Sequence, residues 1–180
     1  MKTASGTRFL LPDPLAALVA IPILGGLMIL QTSIVSRLPL LQGTPDLVML
    51  AIITWALQKR VHTAWHWCII GGLIYGLASA LPVGVPLVCY ALVTWLALTL
   101  RRRVWQVPIL ALFLMVFLGT LITHAVAYIS LLLAGDPLDL LEAFNLVTLP
   151  SLLLNLLFAL PIYAVITDLA RWAYPEELEV

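Results

Sequence analysis

GGLIYGLASALPVGVPLVCYALVTWLALTLRRR, residues 71–103, decides how this chain is read. Two apolar runs meet at the turn Pro82-Val83-Gly84-Val85-Pro86, and the second run stops on Arg101, Arg102 and Arg103. Three adjacent arginines are costly inside hydrocarbon, so they mark a membrane face. The bias of Lys and Arg toward cytoplasmic loops makes that face the inner one. The proline turn then lies outside, and every other segment can be oriented from this hairpin.

Composition agrees. The chain is 63% hydrophobic and 10% charged, against about 25% charged for a soluble domain, and its mean hydropathy is +1.10. So much apolar surface needs lipid as its solvent. Nine basic and nine acidic residues give no net charge, which argues against nucleic acid as a partner. Cys68 and Cys89 fall near opposite ends of successive antiparallel spans, so two free buried thiols are expected.

Working outward, the pattern predicts an all-α polytopic membrane protein. Six transmembrane helices cover about residues 14–36, 45–58, 64–81, 86–100, 104–134 and 146–171, with both termini cytoplasmic. Residues 1–13 form a polar lead and residues 172–180 a polar tail. The first run is longer than the apolar core of a signal peptide, so it reads as a retained span. Pro22 and Gly25-Gly26 can bend it, and Ala16 and Ala20 form a small-xxx-small pair.

The second span is too short for a roughly 30 Å core and is expected to borrow length from Lys59 and Arg60. Its start, Thr44-Pro45-Asp46, reads as a Thr cap, a first-turn Pro and an Asp in the positive first turn. The fifth span should tilt or begin as an interfacial piece before Pro108.

Two counts support this topology. Eight of the nine basic residues fall inside and only Arg37 falls outside. Trp55, Trp65, Trp67, Trp95, Trp105 and Trp172 all fall near inner ends, the interfacial position tryptophan favours.

Residues 135–145, GDPLDLLEAFN, form the one sizeable outer loop. It reads as a short helix capped by Asp136. Asp136, Asp139 and Glu142 lie on one flank, with Leu138, Leu141 and Phe144 on another that could rest on lipid or a partner. These six residues are the candidate partner interface.

Chemistry is sparse. No G-x-x-x-x-G-K-[ST] loop is present, and the only lysines are Lys2 and Lys59, so the chain is no ATPase by itself. No Asp or Glu lies mid-span; Asp46 and Asp168 are near ends. His62, His66 and Cys68 have ligand-like spacing, but a closed zinc site needs four ligands and no carboxylate is near. Neither metal nor cofactor is expected, and no nucleophile can be matched with a base.

What remains are polar marks in apolar helices. Gln31, Asp46, His124 and Asn155 either tie helices together or line a cavity, and tying is the commoner role. Gly71, Gly72 and Gly76 read as one packing surface, and Pro161 as a kink.

Three segments carry a resemblance: LQTSIVSRLPLLQGTPDLVMLAIITWAL, GGLIYGLASALPVG and PSLLLNLLFALPIYAVITDL. With Gln31, Pro45-Asp46, Pro82-x-Gly84, Pro150 and Asn155, they make the chain similar to the rod shape-determining protein MreD family of bacteria over roughly residues 30–169. The resemblance implies a non-enzymatic scaffold of cell-wall elongation in the cytoplasmic membrane. Its partners would be membrane lipid, an MreC-like single-span protein, a RodA-type polymerase with its transpeptidase, and an MreB-like filament. It also implies a fold similar to the substrate-binding subunits of energy-coupling-factor vitamin transporters. Such a subunit is the alternative function, with Ala16 and Ala20 as its docking surface. Many family members carry an acidic residue in the third span where this chain has Gly76.

Overall fold

The structure is a computed structural model that describes residues 14–33, 42–59, 61, 63–102, 108–135 and 139–174, with backbone alone at 14–17. Six helices run through these residues: α1 Pro14–Ser33, α2 Leu47–Leu57, α3 Trp65–Ala78, α4 Gly84–Arg101, α5 Pro108–Ala134 and α6 Leu140–Ala173. Three of them, α4, α5 and α6, are long and apolar enough to cross a membrane, and the other three are shorter apolar helices. The architecture is that of an all-α, multi-pass membrane protein.

The shortest helix is the centre. Ten of the 11 residues of α2 are buried, Leu47 to Ala56. It touches all five other helices, while α1, α3, α4, α5 and α6 follow one another in an arc around it. An 11-residue helix is about 16 Å long, half of a roughly 30 Å hydrocarbon layer. A helix apolar on every side belongs in a protein interior, and α2 shows no polar stripe at all.

Close packing around α2 depends on missing side chains. A Cβ on Gly71 would stand 2.7 Å from Ile52 Cδ1 of α2. On Gly72 it would stand 2.8 Å from Leu87 Cδ1 of α4, and on Gly76 it would stand 2.9 Å from Val83 Cγ1. The three glycines therefore do not share one packing surface; Gly71 faces α2, and the other two face the start of α4. With the Val83 backbone 3.1 Å away, position 76 has no room for a larger side chain.

Several expectations are corrected. The last helix starts at Leu140, not near residue 146, and takes in most of the expected loop helix. Its first turn, Leu140–Ala143, passes through a π turn, Phe144–Thr148, into Leu149–Ala173. Its cap is Asp139, not Asp136, because the Asp139 carboxylate accepts from the N–H groups of Leu141 and Glu142 at 2.8 and 3.3 Å. Asp136, Leu138 and His62 lie outside the described residues, as does the Ala16 side chain. Ala20 is fully buried in the bundle, so it offers no docking surface. Pro161 lies inside α6.

Trp55 and Trp67 stand near the end of α2 and the start of α3 as expected, but they face the core. Both are fully buried and stack with ring centroids 4.2 Å apart, while Trp65, Trp95 and Trp172 are exposed. Cys68 and Cys89 are free and buried.

The glycines give a contrast that can be measured. Gly72→Ala forces a methyl against the Leu87 Cα at 3.0 Å and is expected to lower stability by about 1–3 kcal/mol, the usual cost of overpacking. A Cβ on Gly26 meets nothing within 4 Å, so Gly26→Ala should hold or raise stability, by up to ~1 kcal/mol from helix propensity. Thermal unfolding of the two variants in one detergent checks the order.

Candidate functional site

Three of the four polar marks converge on the start of α2. The first N–H groups of a helix have no partner within it, and here they are buried. The Asp46 N–H donates to Asn155 Oδ1 of α6 at 2.7 Å. The Leu47 N–H donates to Gln31 Oε1 of α1 at 2.9 Å. The Met49 N–H donates to Asp46 Oδ1 at 2.8 Å, so Asp46, not Thr44, is the cap. Just before the helix, the Thr44 N–H donates to Ser151 Oγ of α6 at 3.0 Å.

A second tier holds these acceptors in place. Asn155 Nδ2 donates to Thr120 Oγ1 of α5 at 2.9 Å, and Thr120 in turn donates to the Val116 carbonyl. The Tyr90 hydroxyl of α4 donates to both Asp46 oxygens, at 2.9 and 2.8 Å. Tyr75 of α3 meets the Tyr90 ring edge-on at 5.7 Å. Every helix of the arc thus reaches this one end. The chain enters it through Gly43, where a Cβ would stand 2.5 Å from Pro150 Cβ and 2.6 Å from the Ser151 nitrogen.

The other end of α2 is met by one residue of opposite charge. Arg101 Nη1 donates to the carbonyls of Gln58 and Val61, both at 2.8 Å. A cation there suits the negative end of the helix dipole. Of the three arginines expected to mark the inner membrane face, Arg101 turns inward to α2. The side chain of Gln58 donates to Thr167 Oγ1 of α6 at 2.8 Å. Arg60, expected to lend the helix length with Lys59, lies outside the described residues. A cavity of about 380 Å³ at this end is lined by Lys59, Arg101, Arg102 and Arg171.

At the Asp46 end a larger cavity, about 620 Å³, opens between α4, α5 and α6. Asp46, Tyr75, Tyr90, Tyr128 and Phe144 line it, and so do His124 and Thr148. His124 Nδ1 lies 3.2 Å from Thr148 Oγ1, which joins α5 to the π turn of α6. The i→i+5 bond from the Leu149 N–H to the Phe144 carbonyl marks that turn, and its residues Phe144, Val147 and Thr148 all face the cavity.

None of this is the geometry of a catalyst, and no three His, Cys, Asp or Glu side chains group together among the described residues. The sequence profile of the rod shape-determining protein MreD family matches residues 14–173. The chain belongs to the MreD family. No curated protein matches it, and no solved structure does. MreD proteins are non-enzymatic bacterial membrane proteins of the cell-shape machinery, with a role in rod-shape determination.

Tyr90, Ser151 and Gly43 escaped the sequence reading. Single hydroxyls and glycines are common in membrane helices, and only the spacing of Gly43 just ahead of Thr44-Pro45-Asp46 could have drawn notice.

Asn155→Leu orphans the Asp46 N–H and removes the amide donor to Thr120 Oγ1. It should cost about 1–3 kcal/mol, the desolvation penalty of an unmet buried group. Leu157→Ala on the exposed side of the same helix should cost far less. Arg101→Met should also destabilise, by opening the other end of α2. Unfolding midpoints of the three variants check this.

Proposed function

We propose that this chain is a membrane scaffold of the bacterial cell-wall elongation complex and that it holds an MreC-like single-span protein. The family match over residues 14–173 carries the reading. A RodA-type polymerase with its transpeptidase and an MreB-like filament would join through that pair. The chain lies in the cytoplasmic membrane with both termini inside. Supporting this, Lys59, Arg101, Arg102 and Arg171 all stand at the end where α2 finishes, the side that positive-inside bias makes cytoplasmic. Fusions of a topology reporter after Gly6 and after Glu177 should both report cytoplasm; an external signal at either refutes the orientation.

The docking face we assign is the outer start of α6. Leu141 is 69% exposed and Phe144 42%, three residues apart on one helix face, a spacing that makes them neighbours. Buried apolar anchors carry most of the energy of an interface. Asp139 is occupied as the cap, so among the described residues of this segment Glu142 is the acidic residue left beside them. Leu141→Asp with Phe144→Asp, in a variant that still inserts, should lose co-purification of the MreC-like partner and fail to restore rod shape. Undiminished recovery of the partner would move the contact elsewhere on the helices.

A further inference from the structure

The Asp46 carboxylate is held by hydrogen bonds, and among the described residues no cation stands against it. It accepts from the Met49 N–H and from Tyr90, and Oδ2 receives only a share of that hydroxyl. An ionised carboxylate offers about four acceptor positions. No Lys, Arg or His is paired with it among the described residues; Arg171, for one, pairs with the exposed Asp168. A carboxylate away from bulk water is strongly favoured to have a cation beside it.

What surrounds its open side is a container. The 620 Å³ cavity lies within the range of about 300–1,000 Å³ that takes small organic molecules. The rings of Tyr75, Tyr90, Tyr128 and Phe144 line it with Asp46. Aromatic faces beside a carboxylate are the recurrent setting for an organic ammonium group, through cation–π attraction. The remaining wall, from α5 and the start of α6, is mainly apolar, with His124 and Thr148 as a second polar point. A π turn forms part of this wall, and such turns concentrate where helices have been adapted to a site.

We propose that this cavity binds an organic ammonium group attached to an apolar body, with Asp46 as the counter-charge and the tyrosine rings around the cation. The ammonium donates to Oδ2, and the apolar part lies along α5 and α6. Two sources share this chemistry: a free amphiphilic amine, and the ethanolamine headgroup of a phospholipid.

Octylamine, 1-octanol and octanoate distinguish charge from apolar fit. With the full chain in dodecyl maltoside, octylamine should raise the unfolding midpoint saturably at one molecule per chain, and octanol and octanoate should not. Asp46→Asn keeps an acceptor for the Met49 N–H but removes the charge, and should weaken octylamine at least about tenfold, the loss of roughly 1.4 kcal/mol. Ala127→Phe fills the cavity and leaves the α2 cap untouched, so it should abolish the shift even if Asp46→Asn folds poorly. Octanol equal to octylamine, or octylamine equally strong on a folded Asp46→Asn or on Ala127→Phe, overturns the proposal. Reconstitution then identifies the source. Phosphatidylethanolamine in place of phosphatidylglycerol should remove the octylamine shift if the lipid is the ligand, and leave it intact if a free amine is.

Discussion

A helix about 16 Å long cannot cross a roughly 30 Å hydrocarbon layer by itself, so at least one of its ends falls short of bulk water. That constraint governs α2. Backbone N–H and C=O groups left unmet in hydrocarbon cost several kcal/mol each, so the protein itself must supply their partners. At one end Asn155, Gln31 and Asp46 take the N–H groups; at the other Arg101 takes the carbonyls. The surrounding helices are placed as these bonds require. Gly71, Gly72 and Gly76 let α3 come close enough to α2 and α4 for the arc to form.

The same arrangement explains why the site is polar without being catalytic. A side-chain network at a buried helix end is useful only when every member is satisfied. Asn155 does so in both directions, accepting from Asp46 and donating to Thr120. Asp46 is the member with acceptor capacity to spare, and it is the one that lines the 620 Å³ cavity. Fixing α2 and presenting a carboxylate to that cavity are therefore two uses of one residue. The bundle is held from both ends of its central helix, and Leu141 and Phe144 at the start of α6 stay exposed.

Much of this was legible in the sequence. The hairpin of residues 71–103 gives α3, α4 and their turn, because proline and arginine punctuate apolar runs clearly. Gln31, Asp46 and Asn155 stood out because amides and carboxylates are rare in such runs. Their convergence was not legible, since they lie on three helices far apart in the chain. Thr44 was favoured over Asp46 as cap because both are good capping residues and only backbone geometry separates them. Arg101 looked like its neighbours Arg102 and Arg103; which of three arginines turns inward depends on the position of Gln58 and Val61. Trp55 and Trp67 were placed at an interface by residue type, but stacking on each other they fill the core. The start of α6 was misplaced because a π turn lets an amphipathic first turn run on into an apolar helix.

Amide hydrogen exchange at the start of α2 measures the governing constraint itself. In lipid nanodiscs the amides of Asp46, Leu47 and Met49 should exchange as slowly as those of mid-helix residues such as Ile52, although first-turn amides ordinarily exchange fast. Gln31→Leu should release Leu47 selectively, and Asn155→Leu should release Asp46. Rapid exchange at all three positions in the unaltered protein would show that water, not the surrounding helices, satisfies the end of α2, and would contradict this picture of the fold.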